Sequence, residues 1–172
     1  MIRYLFLPAI FLFAFILESV FLAFVPSYGQ ADDYVLVPYF LFITLVFGAV
    51  YYHRNTTLIY ALIFGAIFDI FYTGLMGVYA YLFPLITYLV CKLMFSLHRK
   101  LLIVSVFSLV GISFIEFIVL GIQTAIGQNI LSMEDFMYNR LWATLVTNII
   151  FLLLFGYFLQ KIFTRFLKLE EK

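Results

Sequence analysis

Three carboxylates, Glu18, Asp69 and Glu116, each interrupt a long apolar stretch of the chain. An ionisable side chain inside a bilayer costs between about 2.5 and more than about 10 kcal/mol, so it marks a functional position by default. Arg140 and Asn148 interrupt a further apolar stretch near the C-terminus. Acids and an arginine at membrane depth could serve proton-coupled transport. They could equally form a polar seam that holds helices together or binds a partner helix.

Other chemistry is hard to find. The chain has no P-loop, HExxH, CxxC or GxSxG pattern. His53 and His98 fall in loops, across the membrane from the acids. Cys91 is the single cysteine, which excludes an intramolecular disulfide and gives no metal-site spacing. An intramembrane enzyme needs a nucleophile or metal ligands at one depth, and no such set is present. The chain therefore reads as non-enzymatic, without a cofactor, a metal or a nucleic-acid partner.

The elements that must position these residues follow from composition. Of 172 residues, 66% are hydrophobic and 11% are charged, and the mean hydropathy is +1.15. Soluble domains carry roughly 25% charged residues, so this is an integral membrane protein of the all-α polytopic class. The length suits a single domain, residues 1–172. A spanning helix needs about 20 apolar residues, and six segments qualify. They run from about Tyr4 to Val25, Val35 to Tyr52, Thr57 to Tyr72, Leu75 to Phe95, Leu101 to Gln123, and Arg140 to Ile162. The first span is longer than the h-region of a signal peptide and contains Glu18, so it reads as retained.

Lys and Arg set the orientation. Arg3, Arg54, Lys92, Arg99, Lys100, Lys161, Arg165, Lys168 and Lys172 all fall on one side of a six-span arrangement, and only Arg140 falls on the other. The positive-inside rule then puts both termini in the cytoplasm. Glu18, Asp69 and Glu116 lie roughly 21, 18 and 22 Å along their outward-running helices, in a core about 30 Å thick. All three share the outer half with Arg140. Arg140, Thr144 and Asn148 recur every four residues and share a helix face, as do Ala61, Gly65 and Asp69. Two readings remain open: one polar cluster that includes Arg140, or three acids that each serve a separate helix contact. The tyrosines near span ends, Tyr39 and Tyr79 among them, read as an interfacial aromatic belt. Pro8 and Pro38 sit near helix starts, whereas Pro84 sits mid-span and should kink its helix. Ser132 and Asp135 match a capping box only loosely, because that motif ends in Glu or Gln.

The stretch Gly65-Ala-Ile-Phe-Asp69, followed by a short turn through Gly74 and then Leu75-x-Gly77, resembles the G-x-x-x-D…L-x-G pattern of the bacterial rod shape-determining MreD family. Pro38 at the start of the second span agrees, as do Glu18-Ser19 and Glu116 followed by Gly121-Ile-Gln123. The resemblance implies a scaffold of the lateral-wall elongation machinery. Its implied partners are the bitopic protein MreC and, through it, MreB, RodA and a class B penicillin-binding protein. A homo-oligomer stays open. The resemblance also implies a fold similar to the substrate-binding subunits of energy-coupling-factor vitamin transporters. Such a subunit is the alternative function. It would need a small-residue A-x-x-x-A surface on span one, and the chain lacks it there.

Overall fold

A computed structural model describes residues 2–24, 36–73, 77–97, 100–127 and 132–170. They form six helices, with no strand among the described residues: α1 (Ile2–Phe24), α2 (Phe40–Tyr51), α3 (Arg54–Phe68), α4 (Val78–Ser96), α5 (Leu101–Ala125) and α6. A π-helical turn, Asp69–Thr73, extends α3. The last helix, α6, begins as Met133–Asp135, widens through a π-helical segment Phe136–Leu141, and continues as Trp142–Glu170. Five of the six are long and apolar enough to cross a membrane, and the fold is an all-α polytopic membrane bundle.

The second helix departs from expectation. Only 12 residues are helical, and all 12 are buried. At 1.5 Å per residue α2 is roughly 18 Å long, well short of a core about 30 Å thick. Pro38 explains the late start. It has no N–H, and it disfavours helical geometry at Val37. Each of the other five helices packs against α2, so α2 is the axis of the bundle and meets protein on every side. Its Phe42 faces Phe83 of α4, and Phe40 stacks on Phe151 of α6.

The outside has the opposite character. Phe13, Phe24, Phe71, Phe95, Leu102 and Leu153 are all exposed, as an apolar solvent allows. Phe6 of α1 stacks on Phe166 of α6, and Phe11 lies near Phe163. The start of α1 and the end of α6 therefore meet at one end of the bundle. Arg54, Lys92, Lys100, Lys161, Arg165 and Lys168 lie toward the same end. The carboxylates Glu18, Asp69 and Glu116 lie toward the other.

Three boundaries are corrected. The sixth segment starts at Met133, not Arg140, because Ser132 caps it: its Oγ accepts from the Asp135 N–H at 3.1 Å and donates to Asp135 Oδ2 at 2.6 Å. Asp135 thus holds the Ser132 hydroxyl, whereas a capping-box glutamate would accept from the Ser132 backbone N–H. Pro8 lies inside α1 rather than at its start, since that helix begins at Ile2. Helix α4 begins at Val78, not Leu75, and runs through Pro84 as a single element.

Helices α3 and α4 approach closely at Gly65. A Cβ there would lie 2.5 Å from the Tyr79 carbonyl oxygen and 2.9 Å from Ala80 Cα, both α4 backbone. Backbone cannot swing aside as a long side chain would. We expect Gly65→Ala to cost about 1–3 kcal/mol through overpacking. Gly121→Ala, where an added Cβ meets nothing within 4 Å, should stay within about 0.5 kcal/mol. Thermal unfolding of both variants in mild detergent checks this; equal midpoints would contradict the backbone-contact account.

Candidate functional site

A helix N-terminus leaves its first N–H groups without intrahelical partners. In an apolar medium each unsatisfied group costs several kcal/mol. The enclosed start of α2 poses this problem, and side chains from other helices solve it. Val37 N–H donates to Thr144 Oγ1 at 3.3 Å, and Tyr39 N–H donates to Asn148 Oδ1 at 2.9 Å. Leu41 N–H donates to Glu18 Oε2 at 3.0 Å. Asn148 in turn donates from Nδ2 to the carbonyls of Val37, at 3.2 Å, and Thr144, at 2.8 Å. Its amide thus binds both a donor and an acceptor of the non-helical entry to α2. Glu18, Thr144 and Asn148 are fully buried.

Asp69 does the same for α4. Its Oδ2 accepts from Gly77 N–H at 3.0 Å and Ala80 N–H at 2.9 Å, and its Oδ1 accepts from Tyr79 N–H at 2.9 Å. The carboxylate sits where α4's dipole is positive. The G-x-x-x-D spacing now has a mechanism. Gly65 lets α3 and α4 touch backbone to backbone, and one turn later Asp69 is close enough to reach three amides. Gly77, at φ +102°, supplies the left-handed residue that turns its N–H to the acid.

Glu116 is held by two donors. Arg140 Nε donates to Oε2 at 2.8 Å, and Tyr39 OH donates to Oε1 at 2.8 Å. The carboxylate is completely buried and the Arg140 side chain is 14% exposed. Tyr39 OH lies 3.1 Å from Tyr79 OH. Because Tyr39 gives its proton to Glu116, its oxygen accepts from Tyr79. A continuous path therefore runs from Asp69 through Tyr79, Tyr39 and Glu116 to Arg140. It links α3, α4, α2, α5 and α6.

Glu18 stands apart from this path, joined to it only through the α2 backbone between Tyr39 and Leu41. Among the described residues its Oε1 is buried without a hydrogen-bond partner. Next to it, Ser19 Oγ is hydrogen-bonded to Tyr72 OH, tying α1 to the end of α3. Ser113, three residues before Glu116, bonds among the described residues to Leu109 O of its own helix. Pro38 is buried at the entry to α2, Pro84 lies away from the polar groups on α4, and Gly74 lies outside the described residues.

Tyr39 and Tyr79 correct the sequence reading. They are 0% and 3% exposed, so they are not part of an interfacial belt. They are the hub that joins two capping systems. The available signal was their position: Tyr39 directly follows the proline that delays α2, and Tyr79 follows the turn glycine by two. Chemically, the carboxylate oxygens here accept from fixed donors, Glu18 Oε1 excepted. That suits holding helices in register.

Removing Arg140 leaves a buried carboxylate uncompensated. We expect Arg140→Gln to destabilise by about 3–5 kcal/mol, and Glu116→Gln with Arg140→Gln to recover part of that loss. A double-mutant cycle in detergent unfolding reads this, and strictly additive losses would show that the pair is not coupled. Asn148→Leu, which strands the Tyr39 N–H, should cost about 1–3 kcal/mol in the same assay.

Comparison with known proteins shows the family. Residues 1–162 match the family model described as rod shape-determining protein MreD. The chain is 34% identical over 143 residues to the rod shape-determining protein MreD of Bacillus subtilis (strain 168), covering 83% of each chain. No solved structure matches it. By both family model and relative, the chain belongs to the MreD family of rod shape-determining membrane proteins.

Proposed function

We propose that this protein is a non-enzymatic membrane scaffold of the wall-elongation machinery, needed for rod shape, and that it works by binding an MreC-like bitopic partner. MreB, RodA and a class B penicillin-binding protein would associate through that partner. One observation carries the reading. The intramembrane polar groups are used on the protein's own helix ends, whereas much of the outer surface is left apolar. In the most apolar windows of the five long helices, only 22–39% of residues are buried. A bundle built this way is rigid inside and presents helix faces outside. In lipid, such faces associate by packing and interhelical hydrogen bonds.

The positive-inside rule supports cytoplasmic termini, because the basic residues gather at the end where Phe6 meets Phe166. The opposite end then faces outward. There the first turns of α6 expose Met133, Glu134, Met137, Tyr138 and Trp142. Flexible methionines and interfacial aromatics beside an acid suit contact with a partner's membrane-proximal segment. On this reading Glu18, Asp69, Glu116, Arg140 and Asn148 act on the partner indirectly, by fixing the helix ends around which that surface is built.

Two experiments test the proposal. Depletion of the protein in its host should turn rods into round cells, and re-expression should restore them. A tagged chain extracted in mild detergent should retain the bitopic partner. Cells that keep their shape, or a monodisperse chain purified without the partner, would overturn the scaffold reading.

A further inference from the structure

The end of the bundle opposite the polar centre carries a feature that the scaffold role does not use. A surface cavity of about 410 Å³ opens where α2 ends, α3 begins and α4 ends. Its volume falls within the roughly 300–1,000 Å³ of small-molecule sites. Its lining has two halves. Ala49, Val50, Cys91 and Phe95 form an apolar wall, and Arg54 and Asn55 form a polar rim.

The charge at this rim is not neutralised locally. Among the described residues no carboxylate pairs with Arg54 or Lys92. The Arg54 guanidinium carbon sits 5.7 Å from the centre of the Tyr88 ring, and Nε reaches Asn55 Oδ1 only at 3.5 Å. This leaves the terminal nitrogens for another acceptor. Lys92 is exposed one helical turn beyond Tyr88, on the same face. Arg54 therefore stands at the mouth of this cavity, and Lys92 lines a separate groove between α4 and α5, both at the level where the apolar spans Arg54–Tyr72 and Val78–Phe95 end. That is the depth of lipid phosphates. The positive end of the α3 dipole adds to the same field.

We propose that this cavity binds the phosphate of an anionic phospholipid. Arg54 takes the phosphate as a fork of donors, Lys92 adds charge from the neighbouring helix, and an acyl chain lies along Phe95, which is 84% exposed. A free phosphate would use the rim alone. The apolar wall selects the lipid.

Cys91, the single cysteine of the chain, lines the cavity and serves as its reporter. The purified protein in detergent is labelled with N-ethylmaleimide while lipid is titrated in. Phosphatidylglycerol should slow Cys91 labelling at lower concentration than phosphatidylcholine, and inorganic phosphate should not slow it. Arg54→Gln should raise the phosphatidylglycerol needed by about tenfold, the loss expected for one charge-assisted contact. Lys92→Gln, a change at an exposed residue, should raise it less and guards against misfolding of the first variant. Equal protection by the two lipids, protection by phosphate alone, or unchanged titrations in both variants would overturn the proposal.

Discussion

A helix that starts inside an apolar medium must find acceptors for its first amides, and the rest of this fold follows from that requirement. Helix α2 starts late because of Pro38 and starts buried because five helices surround it. The start of α2 is enclosed by protein, and its amides find acceptors on side chains. Glu18, Thr144 and Asn148 supply them from α1 and α6. Asp69 meets the same need for α4. Polar residues that look anomalous by composition are thus what permits non-helical backbone at this depth.

Buried charge adds a different constraint. An ion pair in an interior contributes little net stability compared with well-packed apolar residues, but it tolerates few alternative arrangements. Glu116 and Arg140 meet this condition with both carboxylate oxygens occupied, one by the guanidinium and one by Tyr39. Arg140 sits in a π-helical segment, a feature that recurs at functional sites. Arg140 bonds to α5, while Thr144 and Asn148 of the same helix bond to the chain entering α2. One helix therefore addresses two neighbours.

Much of this was legible in the sequence, for definable reasons. Hydropathy marked six segments, and an even number of spans brings the start of α1 and the end of α6 to one side, where Phe6 stacks on Phe166. Rise per residue put Glu116 and Arg140 at one depth, and period-four spacing placed Thr144 with Asn148. What stayed hidden depends on how helices are rotated about their axes, which one sequence does not encode locally. Tyr39 looks like an interfacial tyrosine until α2 is known to be short. The length of α2 was itself obscured, because the non-helical residues Leu36 to Tyr39 are as apolar as a helix. Glu18 differs from Glu116 only in what faces it: a backbone amide in one case, a cation in the other.

The partners of the α2 entry have a consequence for the order of assembly. Ribosomes deliver the chain from its N-terminus, so Glu18 is made before Leu41. Asn148 is not. It lies 109 residues beyond Tyr39, behind three further helices. The second segment is therefore inserted with part of its backbone unsatisfied by any residue yet made. It must wait, shielded by translocation machinery, water or a transient pairing, until the last helix arrives. The native centre closes only at the end of synthesis, which makes α6 the latch of the fold.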